Sequence, residues 1–227
     1  MSSQRFPSPA AVLMSGGLDS SILVAFLLDQ GCRVVPLYVR SGLRWEREEL
    51  AAARLVLGRL AARRLAPLVT LDLPVGDLYG QHWSITGSGV PGRGSPDWAV
   101  YLPGRNALLV LKAALWCQLH GMEALALGVL ASNPFADASA EFFRHLEAAL
   151  NCSSAPHVRL LRPFDSLSKR QVMQFGRSLP LELTFSCIDP RDGLHCGQCN
   201  KCGERRAAFR MAHMDDPTAY AVPLPAG

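Results

Sequence analysis

A short turn rich in glycine and serine joins an apolar run to a helical pattern near the start of the chain. Residues 10–14 predict a strand and residues 22–28 predict a helix, and between them lies the segment Ser15-Gly16-Gly17-Leu18-Asp19-Ser20-Ser21. Glycines let a backbone approach an anion closely, and the first N–H groups of a helix lack partners within it. The segment therefore predicts a phosphate-binding loop, with Asp19 placed to reach Mg²⁺ or to cap the helix. A plain strand–turn–helix with a serine cap is the alternative interpretation.

The loop differs from the Walker A type because no Gly-Lys-Ser/Thr sequence ends it. Its pattern of Ser-Gly-Gly, one residue, then Asp-Ser resembles the PP-loop of the ATP pyrophosphatases. Members of that superfamily split ATP into AMP and pyrophosphate while they adenylate a substrate. The resemblance implies that residues 15–21 bind ATP together with Mg²⁺.

The composition favours a folded α/β protein and excludes several other classes. Apolar residues make up 49% of the 227 residues and charged residues 19%, which suits a chain with a sizeable core. The net charge of +4 comes without a long Lys/Arg run, so it favours nucleic acid no more than anionic small molecules. No apolar stretch approaches the roughly 20 residues of a membrane helix, and no signal-peptide core is seen. We therefore expect a cytoplasmic protein whose cysteines are thiols or metal ligands.

Four of the seven cysteines are crowded near the end of the chain. Two overlapping C-x-x-C units follow a fourth thiol, and the four residues are Cys187, Cys196, Cys199 and Cys202. Four thiolates at such spacing predict a closed, tetrahedral and structural Zn²⁺ site. A redox role for one C-x-x-C unit and ligation by His195 are the alternatives. Cys32, Cys117 and Cys152 stand alone and are interpreted as small buried apolar residues.

Strand and helix patterns alternate along the chain. Strands are predicted at 10–14, 34–39, 68–73, 124–129 and 158–161, and helices at 22–28, 45–65, 106–120, 138–150 and 168–178. This alternation predicts a doubly wound, parallel, five-stranded sheet with ligands at the carboxyl ends of its strands. The segment 74–100 is rich in Gly, Pro and Ser, and a loop of that length is usually functional or mobile.

Several segments in a fixed order resemble the 7-cyano-7-deazaguanine synthase family of queuosine biosynthesis. They are the loop 15–21, Tyr101-Leu102-Pro103-Gly104-Arg105-Asn106, Leu127-Gly128-Val129, Leu167-Ser168-Lys169, and the stretch from Thr184 through the four cysteines. The similarity extends from about residue 10 to residue 210. It implies an α/β fold of the adenine-nucleotide alpha hydrolase-like type, with a PP-loop domain at 1–183 and a zinc knuckle with a helix at 184–227 packed on it.

The resemblance also implies a reaction. The carboxylate of 7-carboxy-7-deazaguanine attacks ATP to give an acyl-adenylate, ammonia displaces AMP, and a second activation dehydrates the amide to the nitrile. Asp19, Ser20, Arg105 and Lys169 would take part in catalysis, while Gly128 and the PP-loop would bind ATP. Arg105 suits a phosphate or carboxylate, and Lys169 is either a second positive charge or a solvated lysine. Asn106 either caps a helix or binds a ligand amide.

The loop after the predicted fourth strand departs from the family pattern. Nitrile-forming members usually carry a Tyr-Pro-Asp-Cys-Arg type of stretch there, whereas this chain has a shorter loop at 130–142. Asp137 and Glu141 either bind the edge of a guanine-like base or are acids in the first turn of a helix. A changed pocket admits a different substrate, because a site that hydrogen-bonds a base rejects its analogues.

Three functions follow from these patterns, and they belong to different classes. The first is the nitrile-forming ligase or a relative that adenylates another carboxylate. The second is a tRNA-modifying PP-loop enzyme, which would usually carry catalytic cysteines or a basic RNA-binding extension. The third is a nucleotide-binding protein without turnover. The expected partners are ATP, a carboxylated deazapurine and ammonia, with no membrane, no required nucleic acid and a possible homodimer.

Overall fold

The computed structural model describes residues 6–152 and 156–222. Residues 1 and 227, which bound the two predicted units, lie outside this range. The strands are β1 (Ala10–Leu13), β2 (Val34–Arg40), β3 (Val69–Asp72), β4 (Ala124–Ala126) and β5 (Arg159–Leu161). The helices are α1 (Leu18–Asp29), α2 (Glu46–Leu60), α3 (Gly76–Tyr79), α4 (Trp83–Thr86), α5 (Arg105–Leu119), α6 (Ala140–Leu150), α7 (Lys169–Phe175) and α8 (Asn200–Met211). Within these described ranges, no helix is both long and apolar enough to cross a bilayer.

The five strands form one parallel sheet in the order β3-β2-β1-β4-β5, which confirms the predicted fold class. The strand order reverses at β1, because β2 lies on one side of it and β4 on the other. In sheets of this kind, ligands bind at the carboxyl ends of the two strands where the order reverses. The phosphate-binding loop follows β1, so the topology places it at that point.

Two apolar clusters cover the faces of the sheet. One unites α1 with α7 and α8 through residues such as Ile22, Met173 and Phe209. The other lies under α5 and α6 and includes Val110, Ala114 and Phe143. Because residues of α8 belong to the first cluster, α8 packs against the same core as α1 and α7.

Several predicted helices and strands are longer than the observed ones, and contacts with other parts of the fold accompany each difference. The helix predicted to reach Leu65 ends at Leu60, and Leu65 instead forms a parallel bridge with Val34 beside β2. The strand predicted to reach residue 129 ends at Ala126, where the chain turns towards the start of α1. The helix predicted to reach residue 178 ends at Phe175, where Gly176 is the C-cap residue and leaves no room for a Cβ beside Ile22.

The long 74–100 segment is folded against the rest of the protein. It contains α3, α4 and a 3₁₀ turn at Asp97–Val100. Its Trp83 ring stacks on Trp45 with ring centroids 5.8 Å apart. Further along, the Arg93 N–H donates to the Gln198 carbonyl at 2.7 Å, which ties the segment to the four cysteines.

Candidate functional site

An open cavity of about 610 Å³ lies at the carboxyl ends of β1 and β4. The phosphate-binding loop and Gly128 form one wall, and α5 and the 130–137 loop form another. Cavities of this volume accommodate small molecules and cofactors. The candidate active site therefore lies at the carboxyl ends of the strands, where the sequence predicts ligands, and at the reversal of strand order.

The phosphate-binding loop is held open by hydrogen bonds between its own serines. The Ser15 N–H donates to Ser20 Oγ at 3.1 Å, and the two hydroxyl oxygens lie 3.0 Å apart. Gly16 has a φ of +75°, and a Cβ there would lie 2.5 Å from the Glu49 carbonyl oxygen on α2. Glycine at this position thus lets the loop sit directly on α2. Within the loop, the Ser21 side chain is buried beside the core and does not line the cavity.

Asp19 and Lys169 meet across the cavity, although 150 positions separate them in sequence. Lys169 Nζ lies 2.6 Å from Asp19 Oδ1, and the two side chains are 23% and 29% exposed to solvent. Lys169 is the first residue of α7, where a Ser168–Gln171 capping box fixes the start of the helix. The pair brings a carboxylate and a cation to the place where phosphate would bind.

Three side chains predicted to contact substrate line the opposite wall. Arg105 and Asn106 begin α5, and Asn106 Nδ2 donates to the Asp137 carbonyl at 3.1 Å. Among the described residues, Arg105 Nε and Asp137 Oδ1 are buried atoms without a hydrogen-bond partner. Buried polar atoms are normally paired, so these two are free to bind a polar ligand.

Glu141 lies elsewhere. Its side chain is 77% exposed on α6 and contacts Arg144 and His145 on the same helix. It does not line the cavity. The structure therefore does not bring Glu141 together with Asp137 or with the cavity.

The cavity also contains a group that the sequence analysis did not single out. Glu49 of α2 lines the cavity, and the Tyr38 hydroxyl donates to its Oε2 at 3.2 Å. Burial raises the pKa of Glu49 to about 7, although Arg105, Tyr38 and Trp45 counteract the rise. In sequence, Glu49 is one of several acids that begin a helix, and nothing in that pattern separates it from Glu46 or Glu48.

The four crowded cysteines form a compact and buried cluster. Their sulfur atoms all lie within 4.8 Å of one another. The Cys187–Cys199 and Cys196–Cys202 sulfur distances are 3.8 and 3.9 Å. A tetrahedral ion with Zn–S bonds of ~2.3 Å would separate its sulfurs by about 3.8 Å, so the donor set fits a four-coordinate metal. Hydrogen bonds from Cys187 and Cys202 hold the pKa of the Cys199 thiol well below its usual range.

The cysteine segment is joined to the phosphate-binding loop through the backbone. The Phe185 N–H donates to the Gly16 carbonyl at 2.8 Å. Arg205 of α8 is 2% exposed and donates to Thr184 Oγ1 at 2.8 Å and to the Leu181 carbonyl at 2.7 Å. These bonds fix residues 181–186 between the cluster and the cavity. His195, the alternative ligand, is instead an acceptor for the Ser186 N–H at 3.1 Å.

Comparisons with known proteins agree with this arrangement. A family model described as "Queuosine biosynthesis protein QueC" matches residues 9–213. The 7-cyano-7-deazaguanine synthase of Nitratiruptor sp. is 31% identical over 220 residues, covering 93% of this chain and 98% of that protein. The corresponding protein of Xanthomonas campestris is 33% identical over 230 residues, covering 94% and 98%. A crystal structure of a predicted tRNA methyltransferase subunit from Methanocaldococcus jannaschii matches with a TM-score of 0.50 and 15% identity, covering 75% of each chain, and it is similar in fold.

Proposed function

The chain belongs to the QueC family of queuosine biosynthesis proteins, and on this basis we propose that it is an ATP-dependent carbon–nitrogen ligase. It converts 7-carboxy-7-deazaguanine and ammonia to 7-cyano-7-deazaguanine and releases AMP and pyrophosphate. One structural observation carries the proposal: a phosphate-binding loop and two unpaired buried polar atoms face each other across one cavity.

The residues of the loop suit the first step. The substrate carboxylate attacks the α-phosphorus of ATP, and pyrophosphate leaves with the bonding electron pair. The N–H groups at the start of α1 and the hydroxyls of Ser15 and Ser20 would bind the departing phosphates. Lys169 would neutralise part of their charge, and Mg²⁺, when bound to ATP, supplies further charge neutralisation beside Asp19. Ammonia then displaces AMP to give the amide, and a second activation by ATP removes water to leave the nitrile.

The opposite wall suits a flat heterocycle that carries a carboxylate. Arg105 Nε is a donor for an anionic oxygen, and Asp137 Oδ1 is an acceptor for ring or amino N–H groups. Asn106 holds the Asp137 backbone in place. The Tyr101 and Phe135 rings, 5.2 Å apart, add an apolar surface to the same wall. These contacts support substrate binding by a loop that lacks the usual family stretch.

We propose that the cysteine cluster holds one structural Zn²⁺. Four thiolates fill the tetrahedral shell, so no position is left for a reacting water or substrate. The ion would stabilise residues 184–222 as part of the PP-loop domain rather than as a separate unit, which the packing of Phe209 in the main core supports.

The proposal extends to the setting of the reaction. The partners are free small molecules, no nucleic acid is required, and the protein acts in the cytoplasm as a homodimer. A mass measurement on the purified protein in solution tests the homodimer, since a monomer near 24.6 kDa would refute it.

Pyrophosphate release is the test of the catalytic proposal. We expect release from ATP and Mg²⁺ to be stimulated by 7-carboxy-7-deazaguanine, with full turnover to the nitrile when ammonium is added and the product followed by mass. ATP binding without turnover on this substrate would contradict the proposal. In that case the altered loop at 130–142 selects a different carboxylate, and other carboxylates should be tested in the same assay.

A further inference from the structure

The amide-forming step of the proposed reaction needs a base to deprotonate ammonium. At neutral pH ammonia is almost entirely ammonium, which has no lone pair for attack on an acyl-adenylate. Of the other carboxylates that line the cavity, Asp19 is paired with Lys169 and Glu204 with Lys201. Asp97 is exposed to solvent, and Asp137 lies on the wall assigned to the heterocycle. A carboxylate near the phosphate-binding loop would both bind the cation and accept its proton.

Glu49 occupies such a place. It lines the cavity from α2, and its own carbonyl is the atom on which Gly16 of the phosphate-binding loop packs. Its carboxyl group accepts a hydrogen bond from Tyr38, whose own pKa is raised by burial so that the hydroxyl stays protonated. The side chain is therefore fixed beside the site of adenylation while one face is open to the cavity.

The surroundings of Glu49 suit a small cation. Tyr38 and Trp45 line the cavity and are only 3% and 4% exposed. Trp83 also lines the cavity, and its ring stacks on that of Trp45. Aromatic rings bind ammonium groups by cation–π attraction, most strongly where water is excluded. The charged and titratable groups that face Glu49 are Tyr38 of β2, Glu46 of its own helix and Arg105 of α5.

We propose that Glu49 is the ammonium-binding residue and general base of the amide-forming step, an assignment that rests on the proposed function. The Glu49 carboxylate takes one proton from ammonium, and the nitrogen lone pair so formed attacks the acyl carbon. As the C–N bond forms, the C–O bond to AMP breaks and AMP leaves with that electron pair. The second proton passes from the new C–NH₃⁺ group to the departing phosphate, and Glu49 returns its proton to solvent through the open cavity.

The test separates the two halves of the reaction in Glu49→Gln, which keeps the size and the hydrogen-bond acceptor of the side chain. Without ammonium, the variant should release a burst of pyrophosphate with the same dependence on 7-carboxy-7-deazaguanine as the wild type. With ammonium at neutral pH, amide formation should fall by about a hundredfold, the usual scale for loss of a general base. Hydroxylamine is mostly unprotonated at this pH, so it should form the hydroxamate at similar rates in both proteins.

The pH profile provides a second readout. In the wild type, kcat/KM for total ammonium should rise up to about pH 7, where Glu49 ionises, and then level off. In Glu49→Gln it should rise by about tenfold per pH unit with the fraction of free ammonia and approach the wild-type value in alkaline buffer. Glu48→Gln, an equivalent change on the same helix but outside the cavity, should behave like the wild type.

Two results would overturn the assignment while leaving the function in place. Loss of the pyrophosphate burst in Glu49→Gln would place Glu49 in adenylation or base recognition, and equal slowing with ammonium and hydroxylamine would show that it does not handle the proton. A wild-type protein that makes no nitrile would instead refute the proposed function, and the assignment with it.

Discussion

Residues 184–202 contain the four cysteines and also reach the wall of the cavity, and the two sites differ in how the atoms that would contact a ligand are paired. In the cavity, Arg105 Nε and Asp137 Oδ1 are buried and unpaired. In the cluster, backbone N–H groups point at the sulfurs, as those of Asp189 and Cys196 do at Cys187 Sγ. A site whose atoms are already arranged stabilises the fold, whereas unpaired buried atoms cost stability unless a ligand binds.

The comparison leads to a division of roles. Changes in the cluster should lower stability first and activity as a result, while changes in the cavity should lower activity and leave stability intact. Predictions from the largest expected effect to the smallest can test this division.

Replacing Cys199 with serine should have the largest effect. Loss of one thiolate should release the metal and lower the free energy of unfolding by on the order of 5 kcal/mol, because structural metal binding is coupled to folding. Denaturant unfolding with a zinc assay on the same sample measures both quantities. Cys152→Ser makes the same chemical change at a cysteine that is exposed, not buried as predicted, because it lies in a turn after α6, and it should alter neither. Full zinc retention with unchanged stability but lost catalysis would contradict a structural role.

Asp19→Ala should abolish pyrophosphate release. We expect a loss of about a thousandfold, because the carboxylate is placed where charge on the phosphates must be balanced. The thermal unfolding curve should stay close to that of the wild type, since the Asp19–Lys169 pair is partly exposed and contributes little to stability. A variant that releases pyrophosphate at the wild-type rate would remove Asp19 from the mechanism.

Asp137→Asn should weaken the binding of the heterocycle. We expect KM for 7-carboxy-7-deazaguanine to rise roughly 10- to 100-fold with KM for ATP unchanged, because a site that hydrogen-bonds a base loses much affinity when one partner is altered. Glu141→Gln, four residues away but on the surface, should leave both constants unchanged. Equal effects of the two substitutions would show that the cavity wall does not select the substrate.

Gly128→Ala should have the smallest effect on the cavity. A Cβ there would lie 3.2 Å from the Asp19 carbonyl carbon and 3.3 Å from the Ser20 nitrogen, so the start of α1 must shift slightly. Turnover should fall by about tenfold, since small misplacements of reacting groups are costly. Gly58→Ala has open space around its Cβ and should leave turnover unchanged while stabilising α2 by about 0.5–1 kcal/mol. Turnover in Gly128→Ala equal to that of Gly58→Ala would contradict the close fit.

The sheet and the phosphate-binding loop could be predicted from sequence because their signals are local. A strand, two glycines and a helix lie in continuous register at residues 10–28, and C-x-x-C spacing brings sulfurs together over a few residues. The parallel order follows from alternating strands and helices, as the structure confirms.

Contacts between distant residues could not be predicted in the same way. Asp19 and Lys169 are 150 positions apart in sequence. The sequence predicts each of them as a site residue, but nothing in it indicates that they contact each other. Glu49 resembled its neighbours Glu46 and Glu48, and only the packing of α2 against the loop turns it towards the cavity. The helix end at Leu60 likewise depends on a distant contact, the bridge between Leu65 and Val34, whereas Gly176 after Phe175 is a local stop signal.

The hydrogen bond from the Phe185 N–H to the Gly16 carbonyl has a consequence for biosynthesis of the protein. As the ribosome makes the chain, the phosphate-binding loop emerges long before the residues that brace it. A nascent chain that has not yet reached Phe185 has the loop without this support. Competence to use ATP is therefore acquired only after residue 185 has been made, and a change that unfolds the cysteine segment should also loosen the loop.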